Sequence, residues 1–450
     1  MTGSGAEKGG QRDGRGNGLG DEKIRVLIFP AGAENALDIF DALRYSLRIE
    51  VFGASGKSDH ASFVYPEGSY FEGDYYLTDA GFIDTFNSLI DENAIDVVIP
   101  THDTVALFLA QHRGVLNACV LTSSADTALV CREKRRTFAA FAEEDFCPAV
   151  YGDETDVPPG AFPVFLKPNV GEGGRGTVFA ADASAVRHAR SADPDLVICE
   201  YLPGEELTVD CFSDRKGHLH FVGPRQRDRI QMGISFRSHT LPLSEDIQAI
   251  AERINTRLDL FGGWFFQLKQ ASDGRYKLME VACRHAGTMA LYRHKGVNFA
   301  LLGVLECMGI DTEVIENPGT LALDRCLRAR YAFDFSYQHV YLDFDDTLVI
   351  DGQVNRTAIA FLYQCANNKK EVTLLTRHAR DIRQSLKKYR IDPGLFVDIV
   401  SLDWGQNKVD FIRIVDSILI DNSFAERKSA SDALGIPVFD VDAVDALLLP

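Results

Sequence analysis

Two aspartates, two residues apart, follow an apolar run in the last quarter of the chain. Asp343 and Asp345 come at the end of His339-Val-Tyr-Leu-Asp343, which we predict to be a buried strand. Alternate side chains of an extended backbone point the same way, so both carboxylates can address one site. With Mg²⁺ to neutralise charge, one carboxylate can attack a phosphate while the other acts as general acid and base. The pattern indicates phosphoryl transfer, although such pairs also occur in sugar-nucleotide metal sites and in acidic turns.

Three more polar groups follow in order: Thr376 and Asp421 end predicted strands, and Lys408 opens a helix-like stretch. With the two aspartates they resemble the four motifs of the haloacid dehalogenase-like (HAD) phosphatases, over residues 339–450. The resemblance implies roles for all five. Asp343 is the nucleophile, Asp345 is the general acid and base, Thr376 and Lys408 hold the phosphoryl group, and Asp343, Asp345 and Asp421 ligate magnesium.

The spacing of these motifs bears on the shape of the predicted HAD domain. Thr376 follows Asp343 by 33 residues, and Lys408 follows Thr376 by 32. Each interval holds little more than a helix and its connections. We therefore predict a Rossmann-like HAD domain without a cap.

A lysine before a glycine-rich loop marks the middle of the chain. Lys167 ends a predicted strand, and the loop Gly171-Glu-Gly173-Gly174-Arg-Gly176 follows it. Glycines let the backbone approach phosphate oxygens, which the loop amides and the lysine can neutralise. Such a hairpin alone is more often only a turn. A second lysine, Lys134, lies 33 residues earlier.

Carboxylates and an amide complete the middle region. Glu200 and Glu206 flank the segment Tyr201-Leu-Pro-Gly204, and Gln267 and Glu280 lie on two predicted strands joined by an Asp-Gly turn. An amide oxygen and a carboxylate on adjacent strands can face one another and hold Mg²⁺.

Residues 24–332 resemble the ATP-grasp superfamily, specifically its carbamoyl-phosphate synthetase-like branch, with the N-terminal part as the pre-ATP-grasp domain. The resemblance implies that the site binds ATP and Mg²⁺ through these residues. Lys134, Lys167, Gly173 and Gly174 contact phosphates, Glu200, Tyr201 and Leu202 read adenine, Glu206 takes the ribose hydroxyls, Gln267 and Glu280 ligate magnesium, and Arg284 is catalytic.

The last of these motifs departs from the family pattern. The family ends it Glu-x-Asn-Pro-Arg, whereas this chain has Glu280-Val-Ala282-Cys-Arg284. Ala282 cannot supply the oxygen that the family's asparagine gives to a second Mg²⁺. Either one metal binds weakly or through a substitute group, or this part of the chain senses a nucleotide without catalysis.

Four arginines lie between the hinge and the metal hairpin. Alternation along a strand places Arg225, Arg227 and Arg229 on one face, and Arg237 follows. We predict that the four form a pocket for the substrate carboxylate, for its acyl-phosphate, or for the γ-phosphate of ATP. A solvated edge strand explains the charges equally well.

Composition limits the class of protein. With 450 residues, 46% hydrophobic and 25% charged, the chain is that of a folded globular protein. The net charge of −18 argues against nucleic acid and anionic membranes as partners, and no apolar run is long enough to span a bilayer. Nine scattered cysteines without a Cys-x-x-Cys pair indicate neither a zinc site nor a disulfide framework, so we expect a reducing cytoplasm.

We predict an α/β protein with three domains after a glycine-rich flexible tail over residues 1–22. Strands alternate with helices over 23–125, the pre-ATP-grasp α/β domain. Longer alternating strands follow over 126–332, the ATP-grasp α+β domain, and α/β alternation resumes over 339–450, the HAD domain.

These features lead to one functional interpretation with two alternatives. The first is a bifunctional enzyme: an ADP-forming carboxylate–amine ligase joined to a magnesium-dependent phosphatase, with a small-molecule carboxylate, amine and phosphate ester as substrates and self-association left open. The second is a HAD phosphatase with a nucleotide-binding but non-catalytic ATP-grasp module, which Ala282 favours. A nucleic-acid end-processing protein is the third, and the acidic balance counts against it.

Overall fold

The structure is a computed structural model that describes residues 23–171, 173–231, 234–326, 329–413 and 415–449. The predicted tail, residues 1–22, lies outside them. The chain divides into two compact units, the first ending at Cys326 and the second comprising the rest. No helix within the described ranges has both the length and the apolar character needed to cross a membrane.

The first unit opens with a parallel five-stranded sheet in the order β3-β2-β1-β4-β5. Its strands are mostly apolar because apolar clusters cover both faces of the sheet. The elements are β1 (Ile24–Phe29), α1 (Glu34–Leu43), β2 (Ile49–Ser55), β3 (Tyr70–Glu72), α2 (Phe82–Glu92), β4 (Val97–Pro100), α3 (Asp103–Gln111) and β5 (Cys119–Val120). The ends of these strands meet at one edge, where their loops can carry a site.

A small four-stranded antiparallel sheet follows, in the order β6-β9-β7-β8. Two helices lead into it, and a third packs its apolar side on the sheet. The elements are α4 (Ala125–Arg132), α5 (Lys134–Ala140), β6 (Val150–Tyr151), β7 (Val164–Pro168), β8 (Val178–Ala180), α6 (Ala183–Ala192) and β9 (Leu196–Glu200). The glycine-rich loop joins β7 to β8.

The third sheet of the first unit is six-stranded and antiparallel, in the order β14-β13-β10-β11-β12-β15. The elements are β10 (Glu206–Ser213), β11 (Leu219–Gln231), β12 (Ile234–Thr240), α7 (Glu245–Arg257), β13 (Gly262–Gln270), β14 (Tyr276–Ala282), α8 (Ala290–Arg293), α9 (Phe299–Cys307) and β15 (Ala322–Asp324). Helix α7 buries Ile247, Ile250 and Ile254 against this sheet, beside the fully buried Trp264. The predicted hairpin turn is present, with Gly274 at φ +83°.

Buried hydrogen bonds join the first sheet to the six-stranded sheet. The Asn35 side-chain amide donates to the carbonyl oxygens of Thr101, at 2.7 Å, and His285, at 3.2 Å. The Thr122 hydroxyl donates to the carbonyl oxygen of Cys283 at 3.1 Å. These contacts hold the strand ends of the first sheet beside the end of β14.

The second unit is built on a parallel five-stranded sheet in the order β20-β19-β16-β21-β22, with a small β17–β18 hairpin. Apolar clusters cover both faces of the sheet. The elements are β16 (His339–Leu342), β17 (Val349–Ile350), β18 (Gln353–Val354), α10 (Arg356–Asn367), β19 (Glu371–Thr376), α11 (Ile382–Tyr389), β20 (Asp398–Ser401), β21 (Ser417–Ile420), α12 (Phe424–Leu434) and β22 (Val438–Phe439).

Candidate functional site

A cavity of about 550 Å³ lies in the first unit, and all three of its sheets contribute to the wall. The loops after β1 and β4 line one part of it, the glycine-rich loop another, helices α4 and α5 a third, and the six-stranded sheet with the segments that follow it the rest. Several predicted site residues line this cavity, namely Lys134, Gly173, Arg225, Arg227, Gln267, Glu280 and Arg284. The antiparallel sheet and the loops therefore bring together residues that are far apart in sequence.

The two predicted magnesium ligands lie side by side. Gln267 on β13 pairs in register with Glu280 on β14, and both line the cavity. An amide oxygen and a carboxylate are suitable donors for Mg²⁺, which keeps several waters when the protein supplies few ligands. Ala282 also lines the cavity and offers no side-chain donor. The donor set therefore fits one such ion better than two.

The two predicted phosphate lysines occupy different depths. Lys134 begins α5 and lines the cavity, whereas Lys167 is buried within β7. Burial lowers the pKa of both ammonium groups, and the nearby Glu280 carboxylate opposes that shift in each. Two desolvated ammonium groups that share one carboxylate favour an added anion, such as a polyphosphate.

The glycine-rich loop borders the cavity with backbone in the left-handed region. Gly173, Gly174 and Gly176 have φ of +61°, +70° and +73°. At Gly176 a Cβ atom would also lie 2.9 Å from the Pro168 ring. The loop conformation therefore depends on glycine, as expected for backbone that must come close to a ligand.

The predicted adenine and ribose residues lie outside the lining of this cavity. Glu200 ends β9, and its carboxylate accepts the backbone N–H of Ala149 at 3.2 Å. Tyr201 stays partly exposed, and Leu202 is buried. Glu206 begins β10 and forms an ion pair with Arg227. The nucleotide roles of these residues remain predictions.

The four arginines have carboxylate partners within the chain. Arg225 is buried and donates two hydrogen bonds to the buried Asp210, at 2.7 and 3.1 Å. Arg227 contacts Glu206 and donates to the Gln267 amide oxygen at 3.1 Å. Arg229 and Arg237 both pair with Asp324 at the surface. Carboxylates of the chain itself therefore balance at least part of the charge of these arginines. Of the four, only Arg225 and Arg227 line the cavity.

Arg284 is held by the carboxylate of Asp103, a residue that the sequence analysis did not identify. Its guanidinium donates two hydrogen bonds to Asp103, at 2.8 and 2.7 Å, across a separation of 181 residues. Burial alone would raise the pKa of Asp103, but the charge and hydrogen bonds of Arg284 outweigh it and lower that pKa. The only sequence signal for Asp103 was a polar residue just after a parallel strand.

The predicted phosphotransfer residues of the second unit meet at the carboxyl edge of its sheet. Lys408 is buried and pairs with Asp343 at 2.9 Å and with Asp421 at 2.5 Å. Burial raises the pKa of Asp343, Lys408 opposes this, and Asp421 reinforces it. Two carboxylates that share one ammonium group leave an excess of negative charge, which suits a divalent cation.

Thr376 and Asp345 complete the group. The Thr376 hydroxyl is buried without a hydrogen bond of ordinary geometry, and it interacts weakly with Asp343. Asp345 accepts a hydrogen bond from His378 at 2.8 Å, and the other ring nitrogen of His378 is 2.7 Å from the Ser385 hydroxyl. The sequence prediction missed His378. Its position two residues after Thr376 is the signal that was available.

Comparison with a family model gives a match over residues 192–323 to the model described as ATP-grasp in the biosynthetic pathway with Ter operon. The match covers β10 to β14 and the first two residues of β15, which is nearly all of the six-stranded sheet. It does not extend to the second unit. No curated protein matches the chain in sequence.

Solved structures are similar in fold at low identity. A biotin carboxylase complex from Campylobacter jejuni has a TM-score of 0.55 and 14% identity, covering 67% of this chain and 75% of that one. The biotin carboxylase domain dimer of 2-oxoglutarate carboxylase from Hydrogenobacter thermophilus, bound to MgADP and bicarbonate, has a TM-score of 0.55, 14% identity and coverages of 66% and 73%.

A third similar structure is N5-carboxyaminoimidazole synthetase from Staphylococcus aureus, with a TM-score of 0.50, 12% identity, and coverages of 64% and 78%. At these identities the solved structures show a likeness of fold alone. The chain thus has a mixed α/β fold with ATP-grasp-like structure, and its residues 192–323 match an ATP-grasp family model.

Proposed function

We propose that the first unit is an ATP-dependent, ADP-forming carboxylate–amine ligase of the carbamoyl-phosphate synthetase-like branch, with ATP and Mg²⁺ as cofactors. The observation that carries the proposal is the pairing of Gln267 with Glu280 in a cavity that Lys134 and the glycine-rich loop also line. Oxygen donors for a metal, an ammonium group and glycine backbone are the parts that a triphosphate requires.

The proposed reaction has two displacements. A carboxylate oxygen of the substrate attacks the γ-phosphorus of ATP, and ADP leaves. An amine nitrogen then attacks the acyl carbon, and phosphate leaves with the pair of electrons of the broken C–O bond. Both steps develop negative charge on oxygen, which positioned cations stabilise in a water-poor cavity.

Each residue has a defined part in this proposal. Lys134 and the loop amides would hold the phosphates, and Gln267 and Glu280 would hold Mg²⁺, which would supply neutralisation of the phosphate charge. Arg284 keeps its guanidinium in the cavity wall because Asp103 holds two of its N–H groups. This fixed charge supports a role beside the acyl-phosphate.

The ligase proposal is tested by a screen of carboxylate and amine pairs for ADP release, with mass detection of the products. ADP that forms only when both substrates are present supports it, and Lys134→Ala should lower that rate. Lys428→Ala is the matched control, since Lys428 pairs with Asp432 on the exposed face of α12. Nucleotide binding without turnover for any pair would instead favour the non-catalytic, regulatory module.

We propose a second activity for the second unit, a magnesium-dependent phosphatase of the HAD type with an aspartyl-phosphate intermediate. The specific observation is that Lys408 contacts both Asp343 and Asp421 at the edge of a parallel sheet. Asp343 would attack the phosphorus of a phosphate ester, and Asp345, held by His378, would give the leaving oxygen its proton. Hydrolysis of aryl phosphates with Mg²⁺ tests it, and an Asp343→Asn variant that is as active as the wild type would overturn it.

A further inference from the structure

The tip of the β10–β11 hairpin carries three metal-ligating side chains outside both sites described above. Asp214, His218 and His220 each offer one ligand atom, and these atoms all lie within 4.8 Å of one another. None of the three lines the 550 Å³ cavity. We propose that this cluster, the hairpin triad, is a binding site for a divalent transition-metal ion, with Zn²⁺ as its best-suited occupant.

The carboxylate of the triad is held in place by the turn. One oxygen of Asp214 accepts the backbone N–H groups of Lys216 and His218, both at 2.8 Å. The other oxygen faces both rings, 3.0 Å from Nδ1 of His218 and 2.9 Å from Nε2 of His220. The backbone thus orients one carboxylate oxygen towards two imidazole nitrogens, an arrangement that outer contacts commonly give to metal ligands.

The local backbone sets the directions of the rings. The register of β10 and β11 shifts next to the turn, where Ser213 pairs with Leu219 and Phe212 with Phe221, so His220 falls between paired positions. Bulges of this kind redirect side chains. The two imidazole rings are nearly perpendicular, at 85°, with centroids 6.3 Å apart. Perpendicular rings can point one nitrogen each at one ion without colliding.

The chemistry of the donors selects the ion. Two imidazoles and one carboxylate suit Zn²⁺ and other first-row transition metals, whereas Mg²⁺ prefers oxygen donors alone. Zn²⁺ with three protein ligands completes a tetrahedron with water, and the exposure of His218, at 69%, leaves room for that water. Binding requires each neutral ring to carry its N–H proton on the nitrogen that faces away from Asp214.

The neighbouring charges do not prevent a cation from binding. Arg215 and Lys216 lie in the same turn, but Arg215 pairs with Glu306 and Asp311, and Lys216 pairs with Asp311 at 2.9 Å. These carboxylates offset the two cationic side chains.

The test is Zn²⁺ binding by the full chain, measured by equilibrium dialysis in excess Mg²⁺. The wild type should bind one Zn²⁺ that His218→Asn and His220→Asn each weaken by at least about tenfold, since even an outer partner of a metal ligand is worth 10- to 100-fold. His239→Asn is the matched control, because His239 pairs with Asp228 at 2.8 Å but belongs to no three-ligand cluster among the described residues.

Co²⁺ absorption separates this site from the cysteines. Nitrogen and oxygen ligands give visible d–d bands without the near-ultraviolet charge-transfer band of a thiolate, and these bands should vanish in both triad variants. Both changed histidines are partly exposed, and circular dichroism in a chelator checks that each variant is folded. Equal Zn²⁺ affinity in the wild type and both variants, or a thiolate band that carries all the bound Co²⁺, would overturn the proposal.

Discussion

The two candidate sites of this chain are assembled in opposite ways. The cavity of the first unit takes residues from three sheets and their loops, joined by contacts such as Asp103 to Arg284 across 181 residues. The site of the second unit takes Asp343, Thr376 and Asp421 from the ends of three parallel strands of one sheet, with Lys408 beside them. A site on one sheet edge depends on strand order, whereas a site among three sheets depends on packing.

The two candidate sites also differ in the sign of the charge that they favour. In the first, the half-buried Lys134 and the buried Lys167 both lie near the Glu280 carboxylate, and Arg225 and Arg227 are paired with Asp210 and Glu206. In the second, Asp343 and Asp421 share the single ammonium group of Lys408. The first site thus favours an anion and the second a cation. If both proposals hold, single substitutions should remove one activity without the other.

The largest expected effect comes from the proposed nucleophile of the second site. Asp343→Asn should lower phosphatase turnover by at least roughly a thousandfold, because an amide cannot attack phosphorus. ADP formation by the same variant should stay at the wild-type level. Both rates are measured on one preparation, with Asp432→Asn as the exposed control. Parallel loss of both activities would contradict the independence of the two sites.

The corresponding substitution in the first site should affect ATP binding and leave phosphatase activity unchanged. Lys134→Ala should weaken ATP binding by about 10- to 100-fold, since a positioned ammonium group on phosphate is worth roughly 1.5–3 kcal/mol. Aryl phosphate hydrolysis should be unchanged. Isothermal titration calorimetry with a non-hydrolysable ATP analogue in Mg²⁺ gives the affinity. An unaltered dissociation constant would remove Lys134 from the nucleotide site.

The buried ion pair of the first unit offers a test of stability. Asp210→Ala leaves the Arg225 guanidinium buried without its partner, which should lower the free energy of unfolding by about 3–5 kcal/mol. Asp324→Ala removes the partner of the exposed Arg229 and Arg237 and should cost about 1 kcal/mol or less. Urea unfolding measures both, and equal costs would contradict the assignment of one pair as buried.

A smaller expected effect is that the contributions of Asp103 and Asp343 to stability depend on pH in opposite directions. The pKa of Asp103 is lowered on folding, so its contribution to stability is complete above the unfolded value of about 3.9 and is lost as the pH falls through the lowered pKa. The pKa of Asp343 is raised, so its contribution is present below about 3.9 and is lost as the pH rises through the raised pKa. Urea unfolding of Asp103→Asn and Asp343→Asn against pH should give opposite trends relative to the wild type, and identical trends would contradict the two shifts.

The sequence predicted those parts of the sites that follow from local pattern. Apolar runs located the strands β1, β16, β19 and β21, and the Asp-Gly turn located the β13–β14 hairpin. The pairing of Gln267 with Glu280 depends on a register shift next to Leu268, which the turn does not indicate. The resemblance to the HAD motifs grouped Asp343, Thr376 and Asp421, and in the structure they follow or end neighbouring strands of one parallel sheet, whose ends meet at one edge.

Long-range packing was not readable in the same way. Alternation placed Arg225 and Arg227 on one face, but the partner Asp210 lies on the neighbouring strand, whose register the charges do not specify. The hydrogen bond of Asn35 to His285 spans 250 residues. Asp103 and Asn35 could be identified only once the sheets were packed together, because nothing in their local sequence indicates a partner.

The central claim is that the first unit uses ATP to activate a carboxylate, independently of the second. Its most direct test is ADP release by Asp343→Asn over a panel of carboxylates and amines, with and without Lys134→Ala. We predict that ADP release by Asp343→Asn depends on one carboxylate–amine pair and is accompanied by the condensed product. Adding Lys134→Ala to this variant should lower the ADP release sharply. ADP release that needs no carboxylate, or that is lost with Asp343 alone, would contradict it.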